Sequence, residues 1–301
     1  MHGLDMSVLL HRALEARLGR LMEILGGPAW AGDPGALHDA RVASRRVRAV
    51  LDLVRPDCYP GLQRHRRALR RLTRALGTLR ELDVHTAFLE DLAWRLPGVT
   101  PGAALEHALE GLDRQRRKRR AHLAADLPLR GLRRLPELLE VPSLPEPFRP
   151  SRLADDVWAA LGPRFDEAFA LLPGLLELED PEALHRARIR LKRLRYALEA
   201  LAGAWPEPPA PALAGLKDLQ AALGEHHDLA TLESGLQRLL AGLEGRGRRI
   251  LAQGLVELLA CAGDARLAAF HRFRTAAAAA PSRPLRSGLR LGLGLPEEET
   301  P

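Results

Sequence analysis

The residues best placed to do chemistry are arginines and histidines spaced along single helix faces. In PGALHDARVASRRVRAVLDLV, His38, Arg41, Arg45 and Arg48 recur at steps of three and four. At 100° per residue they share an arc of about 80°. Ala40, Ala43, Val47, Val50, Leu51 and Val54 occupy the opposite side. In PEALHRARIRLKRLRYALEAL, His185, Arg188, Lys192 and Arg195 repeat the pattern against Ala187, Leu191, Leu194, Leu198 and Leu201. A guanidinium presents two parallel N–H donors in one plane, which match two oxygens of a phosphate. A row of such forks is suited to holding an anion.

A further stripe follows in the first half. Arg67, Arg70, Arg71 and Arg74 lie within about 100° of one another, opposite Leu69, Leu72 and Leu76. No acid occurs between Asp57 and Glu81 to neutralise them. Like charges at i,i+4 repel by a few tenths of a kcal/mol per pair (~0.2–0.5), so an anion on this face relieves strain. Lys217 stands where Arg70 would fall in the second half. The basic run 114–120 wraps most of a helix, so only part of it can face one ligand; Arg116 and Arg120 are its candidates.

The positions correspond at a constant offset of 147 residues. Asp33, Pro34, His38 and Arg41 fall on Asp180, Pro181, His185 and Arg188, and Asp52 falls on Glu199. Without a gap, Leu76-Gly77 then falls on Leu223-Gly224 and Glu81 on Asp228. The chain reads as one unit present twice.

Each unit must position its stripe with helices. An opening helix is predicted at about 6–25 and 153–172, and a motif helix with Asp33 or Asp180 as N-cap and a proline at N1. A third helix (about 62–77 and 211–223) is expected to stop at Leu-Gly, a fourth to reach about 96 and 242, and a fifth to cover about 102–126 and 248–274. Residues 128–140 form a short extra piece, and the Pro-rich 141–151 forms a seam. The expected fold is all-α: two antiparallel helical bundles related by internal pseudo-twofold duplication. Its parts are a first repeat at 1–147, a second at 148–275 and a flexible tail at 276–301.

Composition narrows the class. Leu and Ala dominate while aromatics make up 4%, which disfavours a β fold. No 18-residue apolar window exists to span a membrane, and the N-terminal stretch is amphipathic with Asp5, unlike a secretory signal. Cys58 and Cys261 lack disulfide or metal spacing. A cytoplasmic protein is expected. Lys+Arg 45 against Asp+Glu 38 leaves a formal charge of +7. All of that excess lies in residues 1–147, with 25 basic and 18 acidic residues; residues 148–301 hold 20 of each. A long anion touching both stripes, held more heavily by the first half, fits this distribution.

The doubled His-x-x-Arg-x-x-x-(Arg/Lys)-Arg-x-Arg pattern, each copy followed by Leu-Gly and an acid in LGTLRELDV and LGEHHDLATL, resembles the CHAD domain, the conserved histidine α-helical domain. The likeness extends to about residue 275. It implies a non-catalytic module that binds inorganic polyphosphate in a basic central channel between helical bundles. By motif position, His38, Arg41, Arg45, Arg48, His185, Arg188, Lys192 and Arg195 carry over as ligands; Arg67, Arg70, Arg71, Arg74, Arg116, Arg120 and Lys217 are added from face geometry. One departure concerns the family's common Arg-Asp after Leu-Gly, which here is Arg80-Glu81 and His227-Asp228. The Glu-x-Glu-x-Lys signature of the CYTH triphosphatase that often accompanies such domains is absent. The resemblance also leaves association with polyphosphate granules open.

Two other classes stand beside this reading. A basic helical protein could hold nucleic acid, since phosphate backbones attract any cationic face. Only Tyr196 among twelve aromatics interleaves with the stripes, so base stacking has little support. A metal-assisted phosphohydrolase accessory would need ligands; Glu225, His226, His227 and Asp228 form the one candidate cluster, and local hydrogen bonding explains it more simply. No cofactor is expected.

Overall fold

The computed structural model describes residues 6–27, 33–54, 62–96, 98–126, 153–280 and 282–297. The piece expected at 128–140, the seam at 141–151 and Cys58 lie outside them. The first half contributes α1 (Met6–Gly26), α2 (Pro34–Leu53), α3 (Leu62–Arg95) and α4 (Val99–Asp126). The second contributes α5 (Leu153–Phe169), the one-turn α6 (Leu172–Leu175), α7 (Pro181–Leu201), α8 (Ala210–Glu244), α9 (Arg249–Ala279) and α10 (Ser282–Gly292). Among the described residues there is no strand, and the fold is all-α.

The motif helices begin as their sequences dictate. Asp33 Oδ2 accepts from Ala36 N at 2.7 Å, and Asp180 Oδ1 accepts from Glu182 N at 2.9 Å and Ala183 N at 3.1 Å. Pro34 and Pro181 take the first helical turn, where no backbone donor is needed. The far end of α2 is held from outside. Arg66 of α3 donates to Leu51 O and to Val54 O, the latter at 2.8 Å, and Arg164 of α5 donates to Asp52 O at 3.1 Å. These guanidiniums satisfy carbonyls that have no partner within their own helix.

The helices pack in matching order: α1 on α2, α2 on α3 and α3 on α4, then α5 on α7, α7 on α8 and α8 on α9. The halves meet where α2 crosses α7 and where α4 meets α9. Two apolar cores result, and neither belongs to one half. The larger joins Leu14, Val47 and Leu69 to Phe165, Leu191 and Leu216. The smaller joins Leu89 and Ala104 to Leu236, Leu255 and Leu258. The long helices α3 and α8 contribute to both cores.

Two expectations give way here. The helices expected to break at Leu-Gly run straight through it: α3 is 34 residues long and α8 is 35. One interior glycine costs only about 1 kcal/mol relative to alanine, and the buried Leu72, Leu76, Leu79 and Leu82 keep the apolar phase across Gly77. The segment expected as a flexible tail is also helical. The alanine run extends α9 to Ala279, and α10 docks by burying Leu289 while Trp205 Nε1 donates to Leu289 O at 3.1 Å. Arg286 pairs with Asp166, and the Arg286 and Arg290 guanidiniums lie 5.2 and 5.0 Å from the Trp158 ring centre.

The contact of α4 with α9 is close enough to require glycine. A Cβ on Gly254 would lie 2.4 Å from Thr100 O and 2.7 Å from Ala104 Cβ, so the two backbones would have to separate. Gly254→Ala is expected to destabilise the protein by about 1–3 kcal/mol. Gly242→Ala, with nothing within 4 Å of its new methyl, should be neutral or stabilising by up to about 1 kcal/mol. Urea denaturation of the two variants beside the parent checks both outcomes.

Candidate functional site

The faces of α2 and α7 that carry the basic stripes turn away from the cores toward a shared cavity of about 900 Å³, lined by α2, α3, α7 and α8. His38, Arg41, Arg45 and Arg48 reach it from α2, and His185, Arg188 and Lys192 from α7. Arg70 and Arg74 enter from α3. Of fifteen candidate ligands, these nine are brought together.

The other six lie elsewhere, each for a local reason. Arg67 is one helical turn beyond Arg70, and Arg71 is rotated by about 100° from it; both are exposed. Lys217 is exposed on α8 outside the lining. Arg116 Nε lies 2.9 Å from the buried carboxylate of Asp83, tying α4 to α3. Arg120 sits on α4 outside the lining. Arg195 turns to Glu199, 3.4 Å away, and covers the Tyr196 ring at 4.9 Å. Glu199 also holds Arg46 of α2 at 3.2 Å, so this carboxylate joins the motif helices beside the cavity.

Several lining residues had no place in the stripes. Arg80 and His227 line the cavity at matched positions, as do Thr73 and Gln220. The signal for the first pair lay in the residues after Leu-Gly, which the constant offset had already paired. Gln220 Nε2 donates to Leu191 O at 2.8 Å, linking α8 to α7. His85 Nε2 lies 3.0 Å from Asp228 O and 3.1 Å from Thr231 Oγ1, linking α3 to α8.

The two Leu-Gly glycines lie against the motif arginines. A Cβ on Gly77 would stand 3.8 Å from Arg41 Nε, and one on Gly224 would stand 3.9 Å from Arg188 Nε. Each motif arginine therefore lies along bare backbone of the neighbouring long helix. In both, Nε is buried with no hydrogen-bond partner. Arg188 Nη2 lies 3.8 Å from Asp228 Oδ1, a separation that supplies attraction without a hydrogen bond.

The lining holds seven arginines and Lys192 against Glu81, Glu225 and Asp228. Glu225 is itself engaged by Arg272 at 2.6 Å. Concentrating cations in a partly dehydrated space pushes their pKa values down. Burial, then Arg45 and Arg188, lowers Arg41 to about 10, which leaves it charged at neutral pH. Burial, then Arg188, Arg45 and Arg41, lowers Lys192 to about 6. Burial and the adjacent Arg188, His185 and Lys192 lower His227 to about 3. His38 and His185 shift down as well, first through burial and then through their arginine neighbours.

The Glu225–Asp228 cluster divides among separate tasks. His226 Nε2 lies 2.6 Å from Glu179 Oε1 and points away from the cavity, while His227 points into it. Arg266 pairs with the same Glu179 and donates to Glu233 Oε1 at 2.8 Å. Among the described residues, no group of three His, Cys, Asp or Glu side chains is arranged to hold a metal ion.

The family model for the CHAD domain matches residues 12–237, well over half of the sequence. The chain belongs to the CHAD domain family. CHAD domains are associated with polyphosphate binding in general, and their proteins are generally binders rather than catalysts. Two solved CHAD-like structures share the fold. PptA from Streptomyces chartreusis aligns with a TM-score of 0.69 at 18% identity, covering 91% of this chain and 99% of its own. The CHAD domain from the plant Ricinus communis aligns with a TM-score of 0.62 at 23% identity, covering 89% and 92%. No curated protein matches the sequence. No described helix is long and apolar enough to cross a membrane.

Lys192 offers a direct check of the CHAD cavity's electrostatics. Its folded pKa lies below its unfolded value, so the unfolded chain binds more protons between about pH 6 and pH 10. Stability therefore rises with pH across that window and falls as pH decreases through it. Lys192→Met is expected to stabilise the protein at pH 7, with the gap over the parent narrowing as the pH is raised toward 10. Urea denaturation at several pH values reads both the sign and the window.

Proposed function

We propose that this CHAD protein binds inorganic polyphosphate without hydrolysing it, along the cavity between the α2/α3 and α7/α8 faces. The observation that carries the reading is the gathering of seven arginines and Lys192, from both halves of the chain, around one cavity that holds three carboxylates. A polyanion supplies oxygens to such donors at regular intervals, and each charge-assisted hydrogen bond contributes about 1.5–3 kcal/mol. The two matched halves give a long ligand a basic face on each side of the cavity. The carboxylates Glu81 and Asp228 lie among guanidinium groups, with Asp228 facing Arg188. Among the described lining residues Phe88 is the single Phe, Trp or Tyr, which gives nucleobases little to stack on. Arg67, Arg71, Arg120 and Lys217 fall outside the cavity and are left to the approaches of a longer chain.

Binding of long-chain polyphosphate should outcompete single- and double-stranded DNA at physiological salt and weaken steeply as salt rises. Arg70→Gln with Arg74→Gln, both on exposed positions, should lower affinity by about tenfold or more and leave the helical circular dichroism unchanged. Titration calorimetry and filter binding over a salt series measure these effects. Equal competition by DNA, or full affinity in the double variant, would overturn the reading.

A further inference from the structure

The two sides of the cavity are built on matched positions but differ in kind. On the α2/α3 side the matched residues are Arg41, Arg45, Arg48, Arg70, Arg74 and Arg80; on the α7/α8 side they are Arg188, Lys192, Arg195, Lys217, Ala221 and His227. Arg195 and Lys217 lie outside the lining, so among the described residues Arg188 is the one arginine the second side presents. Its remaining basic groups are His185, Lys192 and His227, none of which carries the fixed charge of an arginine.

Two of these groups touch. His185 Nδ1 lies 3.1 Å from His227 Nδ1, with ring centres 4.1 Å apart. A hydrogen bond between two ring nitrogens requires a lone pair on one of them, so the contact admits at most one proton between the facing atoms. On the other side the matched residues are His38 and Arg80, and no such constraint applies.

We propose that the α7/α8 side is a proton-coupled phosphate subsite: a polyphosphate chain is anchored by the α2/α3 arginines at any pH and engages His185, Lys192 and His227 only as they take up protons. This rests on the polyphosphate reading of the cavity. An entering phosphate oxygen accepts from both rings, replaces the ring-to-ring bond and offsets the repulsion that keeps the groups neutral. The surroundings supply little competing negative charge. From α2, Arg41 and Arg45 face Lys192; from α7 itself, Arg188 faces all three groups. From α8, Asp228 favours the charged lysine and His226 adjoins His227. From α3, Glu81 acts on Arg188 and His85 bonds to the α8 backbone. Glu225 is paired with Arg272 of α9. The helices α1 and α5 share the apolar core with Leu184, Leu191 and Leu194 of α7. The lowered pKa values of all three groups agree with the geometry.

The test is calorimetric titration of the full chain with long-chain polyphosphate at pH 7, in two buffers of different ionisation enthalpy, with affinities measured from pH 6 to pH 8. Long chains keep the titrating terminal phosphates few. Binding should take up about two to three protons, and affinity should fall by about tenfold per proton per pH unit over the window. Lys192→Arg with His227→Arg installs the residues that the other side already carries. That variant should bind with less proton uptake and hold its affinity at pH 8. As a measurement on the parent alone, the ring carbon and proton shifts of His185 and His227 should move to imidazolium values on adding polyphosphate. Tight binding by the parent with no proton uptake and no ring shift overturns the subsite and leaves polyphosphate binding intact. Unchanged uptake in the double variant assigns the protons elsewhere and also overturns it. Failure of the parent to bind at either pH overturns the polyphosphate reading itself.

Discussion

Bringing positive charge together in a dehydrated space is the constraint around which this molecule is organised. Seven arginines and a lysine line one cavity, and in the low-dielectric surroundings of two helix bundles their repulsion opposes folding. Burial of the opposite faces of the same helices overcomes it. Val47, Leu51, Leu191 and Leu198 are all at most 1% exposed and lie in one continuous core. Each apolar residue of that kind contributes about 1.5–3 kcal/mol on burial, enough to hold a charged face in place. Stability and binding therefore act on opposite sides of α2 and α7.

The secondary consequences of that constraint are visible in the carboxylates. Glu199 stands between Arg46 and Arg195, and Asp83 beside Arg116, both outside the cavity. Asp83 and Glu199 take Arg116 and Arg195, which the helical wheel alone assigns to the ligand, while the Asp83–Arg116 and Glu199–Arg46 pairs join helices. Inside the cavity, Asp228 stands farther from Arg188 than a hydrogen bond allows. The guanidinium is steadied while its donors stay available.

Much of this was legible in the sequence because it depends on local chemistry. The Asp-Pro starts of α2 and α7, the apolar phase of the motif helices and the stripe from His38 to Arg48 all follow from residues within a few turns of one another. Most of what escaped depended on partners far along the chain. Arg116 looked like a ligand because Asp83 is 33 positions away; Arg195 is the exception, since its Glu199 stands only one helical turn on. Gly77 and Gly224 were read as breaks because glycine is a poor helix former, whereas their setting beside Arg41 and Arg188 is a tertiary fact. The last helix was overlooked for a similar reason. Leu289 is its one fully buried residue, and the partners that hold the helix, Asp166, Trp158 and Trp205, lie more than eighty positions back in the chain.

The sharing of both cores between the halves bears on how such a chain can be divided. Cutting at the Pro-rich stretch near residue 145 would leave each fragment with portions of two hydrophobic interiors and the whole of neither. A polypeptide carrying one half alone would need a second half to complete either interior and the cavity between them. The covalent link makes that encounter intramolecular, and it frees the two sides to carry different residues. A symmetric pair of identical chains could not hold arginine at position 80 on one side and histidine at its counterpart on the other.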